Sequence, residues 1–167
     1  MASRIETALA HMESARNYTF SLLEGVSDDQ YFWQPDAGIT HIAWQVGHLA
    51  MAQYGLALFR QRGRLRTDNA ILPREFRRLF MKGTQPEADR SKYPEPSELR
   101  AVLDGVYEQV RMEVPQFTEE HLDEPVDQPY STFPTKYGAL LFTADHEMLH
   151  AGQIGLLKRL MGLPPVR

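Results

Sequence analysis

Apolar residues recur every three or four positions along several stretches of the chain, which is the spacing of helices that each bury one face. In the first stretch, Ile5 and Leu9 follow this spacing, and Gly25 then supplies a residue that commonly ends a helix. Thr40 and Ser97 are the predicted N-caps of the second and third helices, because a hydroxyl can accept a hydrogen bond from a free N–H of the first turn. The pattern predicts four main helices, at about Ser3 to Glu24, Thr40 to Arg62, Ser97 to Val114 and Thr135 to Met161.

Glycine and proline break the helical pattern over a long stretch between the second and third predicted helices. This stretch runs from Gly63 to Pro96 and contains one short predicted helix, Arg74 to Met81. A second proline-containing connection runs from Pro115 to Pro134. Phe32 and Trp33, which follow the first helix, are expected to cover one end of a helical bundle. The sequence therefore predicts an all-α fold with a long crossover between its second and third helices.

The segment HEMLH near the C-terminus places His146 and His150 four positions apart on the fourth predicted helix. Residues at this spacing project from one face, so both imidazoles can reach the same metal ion. HExxH is also a motif of zinc proteases, in which a third ligand lies farther along the chain. After His150 the chain reads AGQIGLLKRLMGLPPVR and contains no Asp, Glu, His or Cys. The protease interpretation loses most of its support, and a third ligand has to come from upstream.

His48 is the best upstream candidate for a third ligand. It lies about two turns into the second predicted helix, within the apolar stretch THIAWQVGHLAMAQYGLALF. Gly47 and Gly55 on that helix, and Gly152 and Gly155 on the fourth, each cost about 0.5 to 1 kcal/mol relative to alanine in a helix interior. Their placement near the histidines indicates that glycine is needed at these positions, either for close packing or to leave space.

The residues from Pro35 to Ala50 read P-x(5)-H-I-A-W-Q-V-G-H-L-A, and the segment D-H-E-M-L-H-A-G-Q-I follows about a hundred residues later. Together these motifs resemble the DinB-like superfamily, and the resemblance spans most of the chain. It implies a four-helix bundle of the DinB-like type that holds a divalent metal with three histidines, one from the second helix and two from the last. Carried over by position, the implied metal ligands are His48, His146 and His150.

The resemblance also implies a class of function. Characterised members of the superfamily include transferases and isomerases that use low-molecular-weight thiols, and others are described as metal-dependent hydrolases. The expected activity is therefore that of a thiol S-transferase or a hydrolase acting on a small molecule, with a low-molecular-weight thiol as a candidate partner. Zn or Ni is the expected metal, although imidazoles suit several ions. The alternative is a non-catalytic metal-binding or stress-related interaction bundle, because a fold alone does not establish a function.

His41 competes with His48 for the role of third ligand. It precedes His48 by seven residues and so lies on nearly the same helix face, about 10 Å away along the axis. Both side chains cannot readily bind one ion. His48 is preferred because it matches the motif and lies deeper in the helix, whereas His41, in the first turn, is expected to face solvent. His11 and His121 have no motif around them and are interpreted as ordinary residues.

Three polar residues beside the histidine pair have open roles. Glu147 occupies the position of the general base in zinc proteases, but a surface position or a place behind the metal ligands is preferred to catalysis. Gln153 either orients a ligand or water, or makes a plain hydrogen bond between helices. Asp145 is a candidate to hold a histidine ring nitrogen, as carboxylates behind metal ligands commonly do.

Positive charge concentrates in and just before the crossover. A solvated surface is the favoured interpretation, because no stacking aromatics or recognised nucleic-acid module accompany these residues. A nucleic-acid patch is a second interpretation. A third is an anionic small molecule, such as a carboxylated thiol, held by one arginine near the metal, although nothing in the spacing selects it. The residues concerned are Arg60, Arg62, Arg64, Arg66, Arg74, Arg77, Arg78 and Lys82.

Length and composition agree with a small helical protein. The chain has 167 residues, which suits a single domain over residues 1–167. The absence of cysteine excludes disulfides, thiolate metal ligands and a cysteine nucleophile. Neither a leader pattern nor an apolar run of about 20 residues is present, so a cytoplasmic location without membrane contact is expected. The net charge of −4 says little about partners, and a homodimer fits the apolar helices without being selected by any feature.

Overall fold

The computed structural model describes residues 2–36, 38–127 and 134–166, and the regular structure of these residues is helical. The predicted all-α class is therefore confirmed for this part of the chain. The predicted connection from Pro115 to Pro134 includes residues 128–133, which lie outside the described residues. The long helices are α1 (Arg4–Leu23), α2 (Ile42–Gln53), α3 (Pro96–Glu113) and α4 (Lys136–Leu160). The shorter elements are the α-helices Asp28–Tyr31, Asp68–Ile71, Arg74–Phe80 and Glu119–Asp123 and the 3₁₀ turns Arg90–Lys92 and Val114–Gln116.

Local chemistry sets the ends of the long helices. At the start of α1, the hydroxyl of Ser3 accepts a hydrogen bond from the N–H of Glu6 at 3.1 Å, and the Glu6 carboxylate accepts one from the N–H of Ser3 at 2.7 Å. This reciprocal pair satisfies two donors that the helix itself leaves unpaired. After α1, Gly25 adopts a φ of +72°, a conformation that favours glycine. At the start of α4, the Thr135 hydroxyl accepts a hydrogen bond from the N–H of Gly138 at 3.3 Å.

Two predicted N-caps are wrong by one or two positions. The N-cap of α2 is His41 rather than Thr40, because the imidazole Nδ1 accepts a hydrogen bond from the first turn of the helix at 3.1 Å. The N-cap of α3 is Glu95 rather than Ser97. Pro96 occupies the first turn of α3, where a residue without a backbone N–H leaves no helical hydrogen bond unmade.

Helix α2 continues past its last regular residue through a π-helical turn, Tyr54–Phe59, and a final α-helical turn, Arg60–Arg62. The N–H of the residue after the π turn donates to the carbonyl of Gly55, five residues earlier. A π turn holds one more residue than an α-helical turn. Gln61, which follows it, is buried and donates from its amide to the carbonyl of Lys136 at 3.1 Å.

The long helices pack in a pattern that brings α2 and α4 together. Helix α1 packs along α4, and α2 packs against both α3 and α4. The core is almost entirely aliphatic and aromatic, and α3 contributes its buried residues Leu99, Leu103, Val106 and Val110 to it. None of the helices in the described ranges has the length and apolar character needed to cross a membrane.

The connection between α2 and α3 packs onto α2 through the short helix Arg74–Phe80. Phe80 is fully buried, and a Cβ added to Gly47 of α2 would lie 2.5 Å from its ring. A glycine at this position therefore permits the close approach of the connection to α2. No such approach explains Gly55 or Gly152, since an added Cβ would meet nothing within 4 Å at either position.

Candidate metal centre

Three imidazoles meet where α2 packs against α4. His48 comes from α2, and His146 and His150 lie one turn apart on α4. One nitrogen atom from each ring can be chosen so that all three lie within 4.8 Å of one another. The ring centroid of His48 is 5.4 Å from that of His146 and 4.8 Å from that of His150. Within residues 2–36, 38–127 and 134–166, no other set of histidine and acidic side chains has spacing suited to a metal ion.

The spacing of the two imidazoles on α4 suits a shared ion. Nε2 of His146 lies 3.3 Å from Nε2 of His150. Two nitrogen atoms bound tetrahedrally to one zinc ion, each about 2.0 to 2.1 Å from it, would themselves be about 3.3 Å apart. The observed separation therefore fits a pair of ligands on one ion.

The connection before α3 orients the imidazole of His48. Its Nδ1 lies 2.7 Å from the carbonyl oxygen of Phe80. A carbonyl only accepts hydrogen bonds, so Nδ1 carries the ring proton and Nε2 keeps its lone pair in the neutral ring. The indole of Trp44 stacks on the same imidazole, with centroids 4.7 Å apart and an angle of 8° between the planes. Together these contacts fix both the tautomer and the plane of the ring.

A row of side-chain amides orients His150 in the same way. Nδ1 of His150 donates to Oε1 of Gln45, which leaves the lone pair of the neutral ring on Nε2. The amide of Gln45 is itself fixed, because its Nε2 donates to Thr40 Oγ1 at 2.8 Å and to Gln153 Oε1 at 2.7 Å. The interhelical hydrogen bond considered for Gln153 is therefore present, and through Gln45 it supports His150. Such polar partners behind metal ligands tune both geometry and affinity.

Burial keeps the imidazoles of the cluster neutral. Removal from water lowers the pKa of His48 below its usual value. Burial, with a smaller contribution from His48, lowers the pKa of His146 to about 4, and burial with both neighbouring imidazoles lowers the pKa of His150 to about 3. Neutral imidazole is the form that binds metal ions. Near neutral pH, the cluster therefore needs to release no proton before it can act as a ligand set.

A cavity of about 520 Å³ opens beside the cluster, with His48 and His146 on its wall. This volume falls within the range of sites that bind small molecules. Two cationic residues, Arg60 and Lys82, also line the cavity. The rest of the lining is apolar, with Met51, Leu56, Phe59, Met81 and Phe142 as its largest side chains. The cluster therefore borders a space that a small, largely apolar molecule could enter.

Glu147, the second residue of HEMLH, faces α1 rather than the imidazole cluster. Its carboxylate is bound to the guanidinium of Arg16 on α1, with Nε and Oε1 2.8 Å apart. Both side chains are buried, so the expected surface position of Glu147 is wrong. The predicted contact between Asp145 and a histidine ring is also wrong: Asp145 is exposed, and no hydrogen bond joins it to a described imidazole. The sequence does not say which side of α4 meets α1, which is why both expectations failed.

His41 is fully buried, which corrects the expectation that it faces solvent. Its ring packs edge-on against Tyr93 at 4.9 Å, because the connection before α3 returns to cover the start of α2, and it also packs at an angle of 47° against Phe32 at 5.9 Å. Phe32 thus covers this end of the core as expected, whereas Trp33 is 36% exposed. His41 serves as the N-cap of α2 and is absent from the metal-spaced group.

Two contributors to the site were missed by the sequence analysis. Gln45 had a readable signal, since it is an amide in an apolar stretch and lies three residues before His48. Phe80 had none, because it acts through its backbone carbonyl and comes from a separate segment. His11 and His121, predicted to be ordinary, lie outside the cluster: His11 is exposed, and His121 stacks on Phe117.

Comparison with known proteins agrees with this geometry. A sequence model of the DinB superfamily matches residues 11–154, a segment that includes all of α2 and the three clustered histidines. A comparison with curated proteins gave no match. Because the family match covers well over half of the chain, it establishes the family, and the chain belongs to the DinB superfamily.

Proposed function

We propose that this protein is a metal-dependent enzyme in which His48, His146 and His150 bind one divalent ion, and that it acts on a small molecule as a thiol S-transferase or a hydrolase. The supporting observation is a cluster of neutral imidazoles spaced for a shared ion, of which His48 and His146 lie on the wall of a cavity of about 520 Å³. A metal site that serves folding alone is closed by protein ligands, whereas a catalytic site keeps a position for substrate. The cavity supplies the space for that position.

Zn or Ni is the ion that we propose, since imidazole donors suit both and the chain has no cysteine. When bound, the ion supplies a Lewis acid that can polarise a substrate group or stabilise a thiolate. The protein's own residues hold the ligands for it: the Phe80 carbonyl orients His48, and the Gln45 amide orients His150. The apolar lining lowers the local dielectric, so charges that develop in the cavity interact more strongly there than in water.

The same proposal includes the finer description of the fold. We propose that α1 to α4 form one four-helix bundle of the DinB type in a single domain over residues 1–167, with residues 63–95 as the crossover. The pairing of α1 with α4, and of α2 with α3 and α4, supports this arrangement. The cytoplasmic location and the homodimer stay predictions.

Metal analysis of histidine variants tests the ligand set. The purified protein, reloaded with Zn²⁺ or Ni²⁺ after chelation, should hold about one ion per chain, as expected for a single site. His48→Ala and His150→Ala should each lose stoichiometric metal. His41→Ala is the matched control, because it removes a buried imidazole from the same helix outside the cluster. Metal loss in His41→Ala together with retention in His48→Ala would overturn the ligand assignment.

An activity screen tests the catalytic part of the proposal. Low-molecular-weight thiols with electrophilic acceptors should be tried beside a panel of esters and amides, each with metal-loaded and metal-free protein. Turnover that requires the ion and disappears in His146→Ala supports the enzyme. Absence of metal-dependent turnover in both panels would instead favour a non-catalytic bundle, in which chelation lowers the thermal midpoint but removes no activity.

A further inference from the structure

A second cavity, of about 390 Å³, lies beside the metal-site cavity. The two cavities share part of their walls, which consist of Met51, Gly55, Phe59 and Met81. The second cavity differs in its charge, because its lining includes Arg64, Arg74, Arg77 and Arg78, which we call the arginine cluster. Imidazoles thus border one cavity and guanidinium groups border its neighbour, with a mostly apolar wall common to both.

The protein's own carboxylates do not neutralise the arginine cluster. The nearby Arg62 does pair, with Asp68 at 2.9 Å. Across the described residues, no ion pair includes any member of the cluster. Arg64 and Arg77 each donate to Asn69 Oδ1, at 2.8 and 3.3 Å, and this neutral acceptor orients them without cancelling their charge. Since the whole chain has a net charge of −4, the positive charge is a local feature.

We propose that the arginine cluster binds an oxyanion at one end of the substrate, a phosphate or carboxylate group, while the other end reaches His48 and His146. Guanidinium groups suit this task because their planar arrays of N–H donors match the oxygens of such anions. The middle of the molecule would lie on Met51, Phe59 and Met81, which line both cavities. The substrate is then a small anion with an apolar segment between its charged and reacting groups. This inference rests on the proposed metal-dependent function.

The shape of the second cavity favours a small molecule over a nucleic acid. Its volume lies within the range of small-molecule sites. Proteins that bind single-stranded nucleic acid present exposed aromatic faces on which successive bases stack. The lining has two aromatic residues: Tyr54 is only 5% exposed, and its hydroxyl donates to Asp68 at 2.8 Å, whereas Phe59 is 47% exposed. A single exposed ring in the lining is too few to stack successive bases.

Calorimetric titration of the metal-free protein with hexyl phosphate tests the inference independently of the metal site. Heptanoate, inorganic phosphate and hexanol are titrated in parallel, so that the oxyanion and the apolar chain are separated. The test variant is Arg74→Gln/Arg78→Gln. Its matched control is Arg66→Gln/Arg111→Gln, which removes the same charge from exposed residues outside both cavities. Circular dichroism checks that both variants are folded.

Hexyl phosphate should bind more tightly than inorganic phosphate or hexanol. Binding of hexyl phosphate or heptanoate should weaken at least about tenfold in the test variant, because charge-assisted hydrogen bonds are lost. In the control it should change by less than about twofold, since the two residues line neither cavity and salt screens exposed charges. Equal weakening in both variants, or no saturable binding of either amphiphilic anion, would overturn the inference. So would tighter binding of a single-stranded oligonucleotide that depends on the same arginines. A protein that binds hexyl phosphate as expected but holds no metal would refute the proposed function alone.

Discussion

Replacing Glu147 with alanine should destabilise the fold and leave metal binding intact. The Glu147 carboxylate accepts two hydrogen bonds from Arg16, from Nε to Oε1 at 2.8 Å and from Nη2 to Oε2 at 3.2 Å. The side chains of Arg16 and Glu147 are 2% and 3% exposed. Alanine would therefore leave a buried guanidinium without its counter-ion, while the imidazole cluster on another side of α4 keeps its own partners.

The size of the effect follows from the burial of the pair. Removing one partner of a buried ion pair destabilises a protein by about 3 to 5 kcal/mol. Arg16 keeps its bonds to Gln53 Oε1 at 2.8 Å and to the Leu103 carbonyl at 3.2 Å, which favours the lower end of this range. In a chain of this length, each kcal/mol lowers the thermal midpoint by about 2 to 4 °C. We therefore expect a decrease of about 6 to 12 °C, corresponding to about 3 kcal/mol.

Thermal unfolding of the metal-free protein, followed by circular dichroism, measures this change without a contribution from bound metal. The double variant Arg16→Met/Glu147→Leu is the control and should recover much of the lost stability, because neither charge remains buried. Metal content after reloading should match that of the original protein in both variants. A midpoint within about 1 °C of the original protein, well below the expected change, would refute the ion-pair argument. Unchanged stability with lost turnover would instead identify Glu147 as a catalytic base.

Three further changes test other parts of the structure. Gln45→Leu should weaken metal binding about 10- to 100-fold in a chelator competition, because His150 loses the acceptor that orients it; unchanged affinity would exclude that role. Gly47→Ala should lower the free energy of unfolding in urea by about 1 to 3 kcal/mol, because its new Cβ would lie 2.5 Å from an aromatic ring. Gly152→Ala should raise it by about 0.4 to 1 kcal/mol, because its Cβ meets nothing within 4 Å. Equal effects of the two variants would contradict the packing. The metal-free protein should lose stability as the pH falls from about 6.5 towards 4. In this pH range His146 is protonated in the unfolded chain, whereas burial lowers its pKa in the folded chain to about 4. Stability from this imidazole is complete above about pH 6.5, and His146→Ala should show a smaller difference between urea unfolding at about pH 5 and about pH 7.

The histidine cluster was predictable because its pattern is local. His146 and His150 share a helix face through their spacing alone, and the residues around His48 match a family motif. The long helices were predictable for a similar reason, since repeated apolar spacing requires a buried face. The pairing of His146 with His150 and the extents of the helices do not depend on which helix lies next to which, whereas the link from this pair to His48 came from the family motif.

The expectations that failed at the site, and the partner that was missed there, depend on a neighbour that is distant in sequence. His41 is in a first turn that would be exposed, but Tyr93 from the connection before α3 covers it. Glu147 is buried because α1 places Arg16 opposite it. The acceptor for His48 is the backbone of Phe80, which no side-chain pattern reveals. Positions of this kind become readable only after the packing of the helices is known.

The π turn at Tyr54–Phe59 makes the number of residues in α2 a determinant of the ligand space. Because this turn takes up one residue more than an α-helical turn, it keeps the residues after it in phase with α2. Deleting one residue from the regular part of α2 would instead turn everything after it by about 100°. Gln61 would then swing off the carbonyl of Lys136, and Arg62 off Asp68. Gly55 and Phe59, which border both cavities, belong to the same turn. Losing one residue from the regular part of α2 would therefore reshape both cavities together.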